Sequence, residues 1–161
     1  MNMGLSLGSA AVSALLGRQI MTQAISDASY SIYSSIGEIF YYTTSVDKVL
    51  SELDIGNKIK TMELLCKDLT PVTKLYGEKE HSRETAINFC LDNLHDMIIR
   101  IREDLRQISS IIKNHKEKYF TNWRSVDVKQ QLYNLKLHSK LLDDRYDLFI
   151  KTLSVTGSIK K

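Results

Sequence analysis

The sequence predicts an all-α protein, an elongated antiparallel up-and-down bundle of three to four long helices. Three observations carry that expectation. Apolar residues recur at alternating intervals of three and four along four segments, the spacing of a helix face, and no run sustains the alternation by two of a strand. One Pro and seven Gly in 161 residues leave too few breakers for a turn-rich β fold. Charged residues, 25% of the chain, concentrate beyond residue 45, where they alternate with the apolar spacing as solvated helix faces do. A chain of this length suits one domain that buries roughly two-thirds of its unfolded surface. We read residues 1–161 as that single domain, with an apolar Gly/Ala/Ser-rich segment at 1–17 and a basic tail at 158–161.

The first apolar series is Ile25, Ser29, Ile32, Ile36, Ile39, Thr43, Val46, Leu50 and Leu53, in which only Ser29 and Thr43 are polar. It reads as one long helix. Asp54-Ile55-Gly56-Asn57 then ends or kinks it, because Gly and Asn tolerate left-handed backbone. The second series is Ile55, Ile59, Met62, Cys66 and Leu69, and Thr70-Pro71 either stops that helix or caps another. Gly77 and residues 78–81 read as a connection, with Ser82 capping the third helix.

The third series is the most regular: Ile87, Leu91, Leu94, Ile98, Ile101, Leu105, Ile108, Ile112, His115 and Tyr119. Its charges follow the helix dipole, since residues 78–96 hold five acids against two bases and residues 100–118 hold six bases against three acids. Such a helix is a rod of roughly 55–60 Å. Residues 122–125 form the next turn, with Ser125 as cap and Asp127 in the first turn of the fourth helix. The fourth series is Leu132, Leu135, Ser139, Leu142, Tyr146, Phe149 and Leu153, ended by Thr156-Gly157. Short connections between long helices imply antiparallel neighbours.

Composition excludes several function classes. Lys+Arg is 22 and Asp+Glu is 19, too mild an excess to announce a nucleic-acid binder. Two cysteines, Cys66 and Cys90, cannot make a disulfide-dense scaffold or a four-cysteine zinc site, and both fall on apolar helix faces as small core residues. No phosphate loop, nucleophile elbow, dinucleotide fingerprint or H-E-x-x-H is present, so we expect no enzyme and no cofactor. Glu78-x-x-His81 and Asp92-x-x-His95 carry a spacing seen in di-iron bundles, but at a connection and at outward positions they read as solvated residues rather than a metal site. His115 reads as a half-buried residue near a helix end. Lys113, Lys116, Lys118, Arg124, Lys129, Lys136 and Lys140 gather around Tyr119, Phe120 and Trp123, yet interspersed acids dilute the patch and make nucleic acid an unfavoured partner.

The first 45 residues hold only Arg18, Asp27 and Glu38 as charges, whereas residues 78–120 hold sixteen. A helix on the outside of a soluble bundle exposes a charged face, and this one has almost none to expose. Tyr30, Tyr33, Phe40 and Tyr41 fall away from the Ile36/Ile39 stripe, and such aromatics are typical of interface centres. Gly4, Gly8, Ser13 and Gly17 are small residues that permit close helix approach. We therefore expect a protein partner or a second copy at this surface, in a non-enzymatic assembly subunit. A helix central in its own bundle would also explain the deficit of charge.

The segment Met3-Gly-Leu-Ser-Leu-Gly-Ser-Ala-Ala-Val-Ser-Ala-Leu-Leu-Gly17 ahead of a helical bundle resembles the membrane-perturbing HeLo-type bundles of fungal and animal cell-death proteins. That resemblance implies peripheral membrane contact through residues 1–17, although the segment lacks a basic face for anionic lipid. It also lacks the basic n-region of a signal peptide and the length of a spanning helix, so we expect an intracellular or virion location. Ile, Lys, Asn, Tyr and Phe are abundant relative to Ala, Gly, Pro and Arg, a bias that suits an AT-rich genome. Many large DNA viruses have such genomes, and a minor virion component is the expected setting.

Overall fold

The computed structural model describes residues 5–39, 44–69, 77–118 and 126–156. They form five helices and no strand: α1 (Leu5–Ile39), α2 (Thr44–Leu53), α3 (Ile55–Asp68), α4 (Gly77–Lys118) and α5 (Lys129–Val155). α2 and α3 are one rod broken at a single residue, so the architecture is a bundle of four rods.

That break has a defined cause. Asp54 sits in the left-handed region at φ 48° and ψ 37°, while its N–H still bonds to Leu50 O (3.1 Å) and its carbonyl accepts from Lys58 N–H (3.1 Å). The Asn57 amide donates to Asp54 Oδ1 at 2.7 Å and holds the bend. The kink therefore rests on Asp54 and not on the neighbouring glycine: Gly56 lies in the first turn of α3.

Two expected boundaries move. The first apolar series is not one helix, because α1 ends at Ile39 and α2 begins at Thr44. Ile39, Val46 and Leu50 are all buried nonetheless, since the chain turns back and both arms face the same core. Residues 78–81 are not a connection. α4 already begins at Gly77, which places Ser82 inside it; the Glu- and Lys-rich start favours helix and puts acids near its N-terminus. At 42 residues α4 is about 63 Å long. α5 begins after Val128 with no side-chain cap, and Asp127 Oδ1 accepts the Lys129 N–H at 3.3 Å from just outside the helix. Ser125 lies outside the described residues.

α4 is the spine. α1 and α5 pack along it over most of their lengths, α3 lies against α1, and α2 touches α5. α5 runs back along α4, as Asp104–His138, Asn93–Arg145 and Cys90–Thr152 contacts show. α3 runs beside α5, with Lys58 on Asp143, and returns along α1, with Glu63 on Ser26 and Tyr33. Direction alternates along the chain, which makes the adjacent rods α1 and α4 parallel.

The core follows the predicted series. Ile25 and Ile32 of α1, Ile55 and Ile59 of α3, Leu91 to Leu105 at the helical spacing of α4, and Leu135, Leu142, Phe149 and Leu153 of α5 are essentially inaccessible. Cys66 and Cys90 are buried free thiols. Burial, and then the charge of Glu63, pushes the Cys66 thiol up to about 12, so it packs as an inert small apolar group. Ser29 enters the core by returning its hydroxyl to Ile25 O at 2.7 Å.

Candidate interaction surface

α1 lies against α3 and α4 on one side only. Its inward stripe of Ile25, Ala28, Ile32, Ser35 and Ile39 is buried. Opposite it, Leu16, Ile20, Gln23, Asp27, Tyr30, Ser34 and Gly37 are all exposed, at intervals of four and three along 22 residues. Leu16, Ile20 and Tyr30 are 52%, 67% and 77% exposed. Asp27 carries the stripe's single charge and is engaged by the Gln23 amide at 2.8 Å. Over residues 16–39 the charge deficit therefore has two parts: one face is covered by the chain's own later helices, and the other meets solvent with almost no ionic groups.

Beside the stripe, an open groove of about 510 Å³ separates α1 from α4, lined by Tyr30, Ser31, Ser34, Ser35 and Glu38 on one wall and Arg106, Ser109, Ser110 and Lys113 on the other. Ser109 Oγ donates to Glu38 Oε2 at 3.0 Å and ties the walls together. Short hydroxyl side chains, Ser31, Ser34 and Ser35 facing Ser109 and Ser110, line much of this groove.

The structure separates the residues expected at the interface. Tyr30 stands fully on the outward face. Tyr33 turns toward α3: it packs against the core, and its hydroxyl donates to Glu63 Oε2 at 3.4 Å. Burial, then the charge and hydrogen bonding of Glu63, pushes its phenol up to about 12, so it stays a neutral donor. Gly17 is exposed, and a methyl group added there meets nothing within 4 Å. Gly8 and Ser13 lie within α1. Gly4, Phe40 and Tyr41 lie outside the described residues, as do Tyr119, Phe120, Trp123 and Arg124 of the basic cluster.

Two buried polar joints escaped the sequence reading. Glu63 accepts from Ser26 Oγ (2.8 Å), Lys67 Nζ (2.6 Å), Lys60 Nζ (3.4 Å) and Tyr33 OH. Asp104 meets His138 Nδ1 at 2.6 Å between α4 and α5. The available signal was a charged residue at the edge of an apolar stripe: Glu63 follows Ile59 by four and Asp104 follows Ile101 by three. Sequence could place each on its helix edge but not name partners on another helix, 30 to 37 residues away.

Among the described residues, no three His, Cys, Asp or Glu side chains stand close enough to hold a metal ion. None of the described helices is long and apolar enough to cross a membrane.

No family model matches the chain, and no solved structure matches it. Over 157 residues it is 29% identical to an uncharacterized protein of Acanthamoeba polyphaga mimivirus, a similarity that spans 85% of this chain and 76% of that relative. The chain is thus similar, over most of its length, to a mimivirus protein.

Proposed function

We propose that this protein is a non-enzymatic subunit of a larger viral assembly and that it docks on a protein partner through the outward stripe of α1. The observation that carries the reading is the stripe itself, seven exposed positions with one charge, anchored by Leu16, Ile20 and Tyr30. Apolar and aromatic surface of this kind marks interaction sites, and Tyr is enriched at their centres. The similarity to a mimivirus protein supports the viral setting. The non-enzymatic part rests on the sequence, which carries no phosphate loop, nucleophile elbow, dinucleotide fingerprint or H-E-x-x-H.

Mass spectrometry of purified particles of the source virus tests the setting, and the variants Ile20→Glu and Tyr30→Glu test the surface. Incorporation of the wild-type chain and loss of both variants, with helicity unchanged, is the expected result. Equal incorporation of wild type and variants excludes the α1 surface.

α1 is helical from Leu5, so residues 5–17 form an uncharged helical stretch, and this favours membrane association as a second reading. Liposome leakage that requires residues 1–17 would establish it in place of protein docking.

A further inference from the structure

α5 carries two apolar faces. One enters the core through Leu135, Leu142, Phe149 and Leu153. The other points the opposite way, since Leu137, Leu141, Leu148 and Val155 lie about half a helical turn from those residues. All four are exposed, Leu148 by 50% and Val155 by 85%, and Tyr133 extends the patch at 64%. With Asp144 and Lys151 between them, the outward residues step by four, three, four, three and four, the seam of a two-stranded coiled coil. A helix packed on one side needs only one such stripe.

The charges on this face select the occupant. Asp143 and Arg145 are spent inside the chain: Lys58 Nζ holds Asp143 at 2.7 Å, and Arg145 Nη1 donates to the Asn93 carbonyl at 2.8 Å. Lys140, Asp144, Asp147 and Lys151 remain exposed on or beside the seam. Parallel pairing with another copy sets Asp144 against Asp144 and Lys151 against Lys151, which repels at both layers. Antiparallel pairing about a two-fold axis beside residues 142 and 143 separates both like pairs. It sets Leu137 against Leu148 and Leu141 against Asp144 of the second copy, and brings Lys140 beside Asp144 and Asp147 of that copy. The symmetry repeats each contact, as a self-complementary patch requires.

We propose that two copies of this chain associate through an antiparallel α5–α5 seam. The seam is independent of the α1 reading: α4 lies between α1 and α5, so the dimer leaves the α1 stripe open.

Sedimentation equilibrium of the full chain across a concentration series tests the proposal. The expected mass is about twice 18.4 kDa at high concentration. Leu148→Glu should leave a monomer with unchanged circular dichroism, because the side chain is exposed. Lys140→Asp and Asp147→Lys should each weaken the dimer roughly tenfold, and the double variant should restore most of the loss, which only a Lys140–Asp147 contact between copies explains. A monomer at every concentration overturns the proposal, as does a dimer indifferent to Leu148→Glu or a double variant no tighter than the singles. If Ile20→Glu dissolves the dimer and Leu148→Glu does not, the contact lies on α1: the α5 seam falls and the α1 surface stands.

Discussion

Glu63 is buried yet ionised, because four donors converge on its carboxylate. Burial alone raises its pKa, but the hydrogen bonds from Lys67 and Ser26 and the charges of Lys67 and Lys60 outweigh it and hold the group at about 2. A folded value below the unfolded 4.5 means that its contribution is fully present above about pH 4.5 and is lost as pH falls through about 2. Glu63→Gln should therefore cost on the order of 2 kcal/mol at neutral pH and progressively less toward pH 2, read by urea denaturation at a series of pH values. Asp104 has the opposite sign. Burial raises its pKa, and the hydrogen bond and charge of His138 only partly offset that rise. Its contribution is present below the unfolded 3.8 and lost as pH climbs through the raised folded value. The stability of wild type relative to Asp104→Asn should accordingly grow on acidification, where that relative to Glu63→Gln shrinks. The two tyrosines of α1 divide in the same local terms. Tyr30→Ala should leave the folding free energy within about 0.5 kcal/mol, whereas Tyr33→Ala should cost about 1–3 kcal/mol, because Tyr33 packs on the core and feeds Glu63.

The bend between α2 and α3 depends on one residue in a conformation that costs L-amino acids about 1 kcal/mol. Asp accepts it because its side chain bonds locally, here to Asn57. Asp54→Gly should be near neutral in thermal denaturation, and Asp54→Ala should destabilise by about 1–2 kcal/mol, losing the bond while keeping the backbone penalty. Glycines inside helices give the reverse expectation. Gly37 and Gly56 are helical, and a methyl group at either meets nothing within 4 Å. Gly37→Ala and Gly56→Ala should each stabilise the isolated protein by roughly 0.5–1 kcal/mol. Gly37 also belongs to the outward stripe, so if a partner helix approaches closely there, Gly37→Ala will weaken assembly while raising Tm.

Four rods meeting on one apolar core, with α4 touching two of them along most of their length, make the bundle depend on its central layer more than on either end. Phe149 is the largest wholly buried side chain among the described residues, and Phe149→Ala should cost about 3–5 kcal/mol, enough to unfold a marginal domain at moderate temperature. α1 and α5 flank the same spine and each keeps an apolar outward face. These are the two faces on which we propose docking, α1 for a protein partner and α5 for a second copy.

Sequence by itself determined the helical class, the four apolar series and most of the buried apolar positions, though not Ala28, Met97 or Val128, because a period of 3.6 residues writes the core face directly into the chain. It also located the uncharged first third. Whether that stretch was enclosed or open depended on which rods lay beside α1, and only packing decided it: α3 and α4 cover one side and leave Tyr30 outside while drawing Tyr33 in. The reversal after Ile39 was invisible for a related reason, since Ile39 and Val46 keep one apolar rhythm whether the helix continues or folds back on the same core. The partners of Glu63 and Asp104 were likewise set by tertiary contact. Periodicity records what each helix shows to its neighbours; it carries no record of which neighbour stands there.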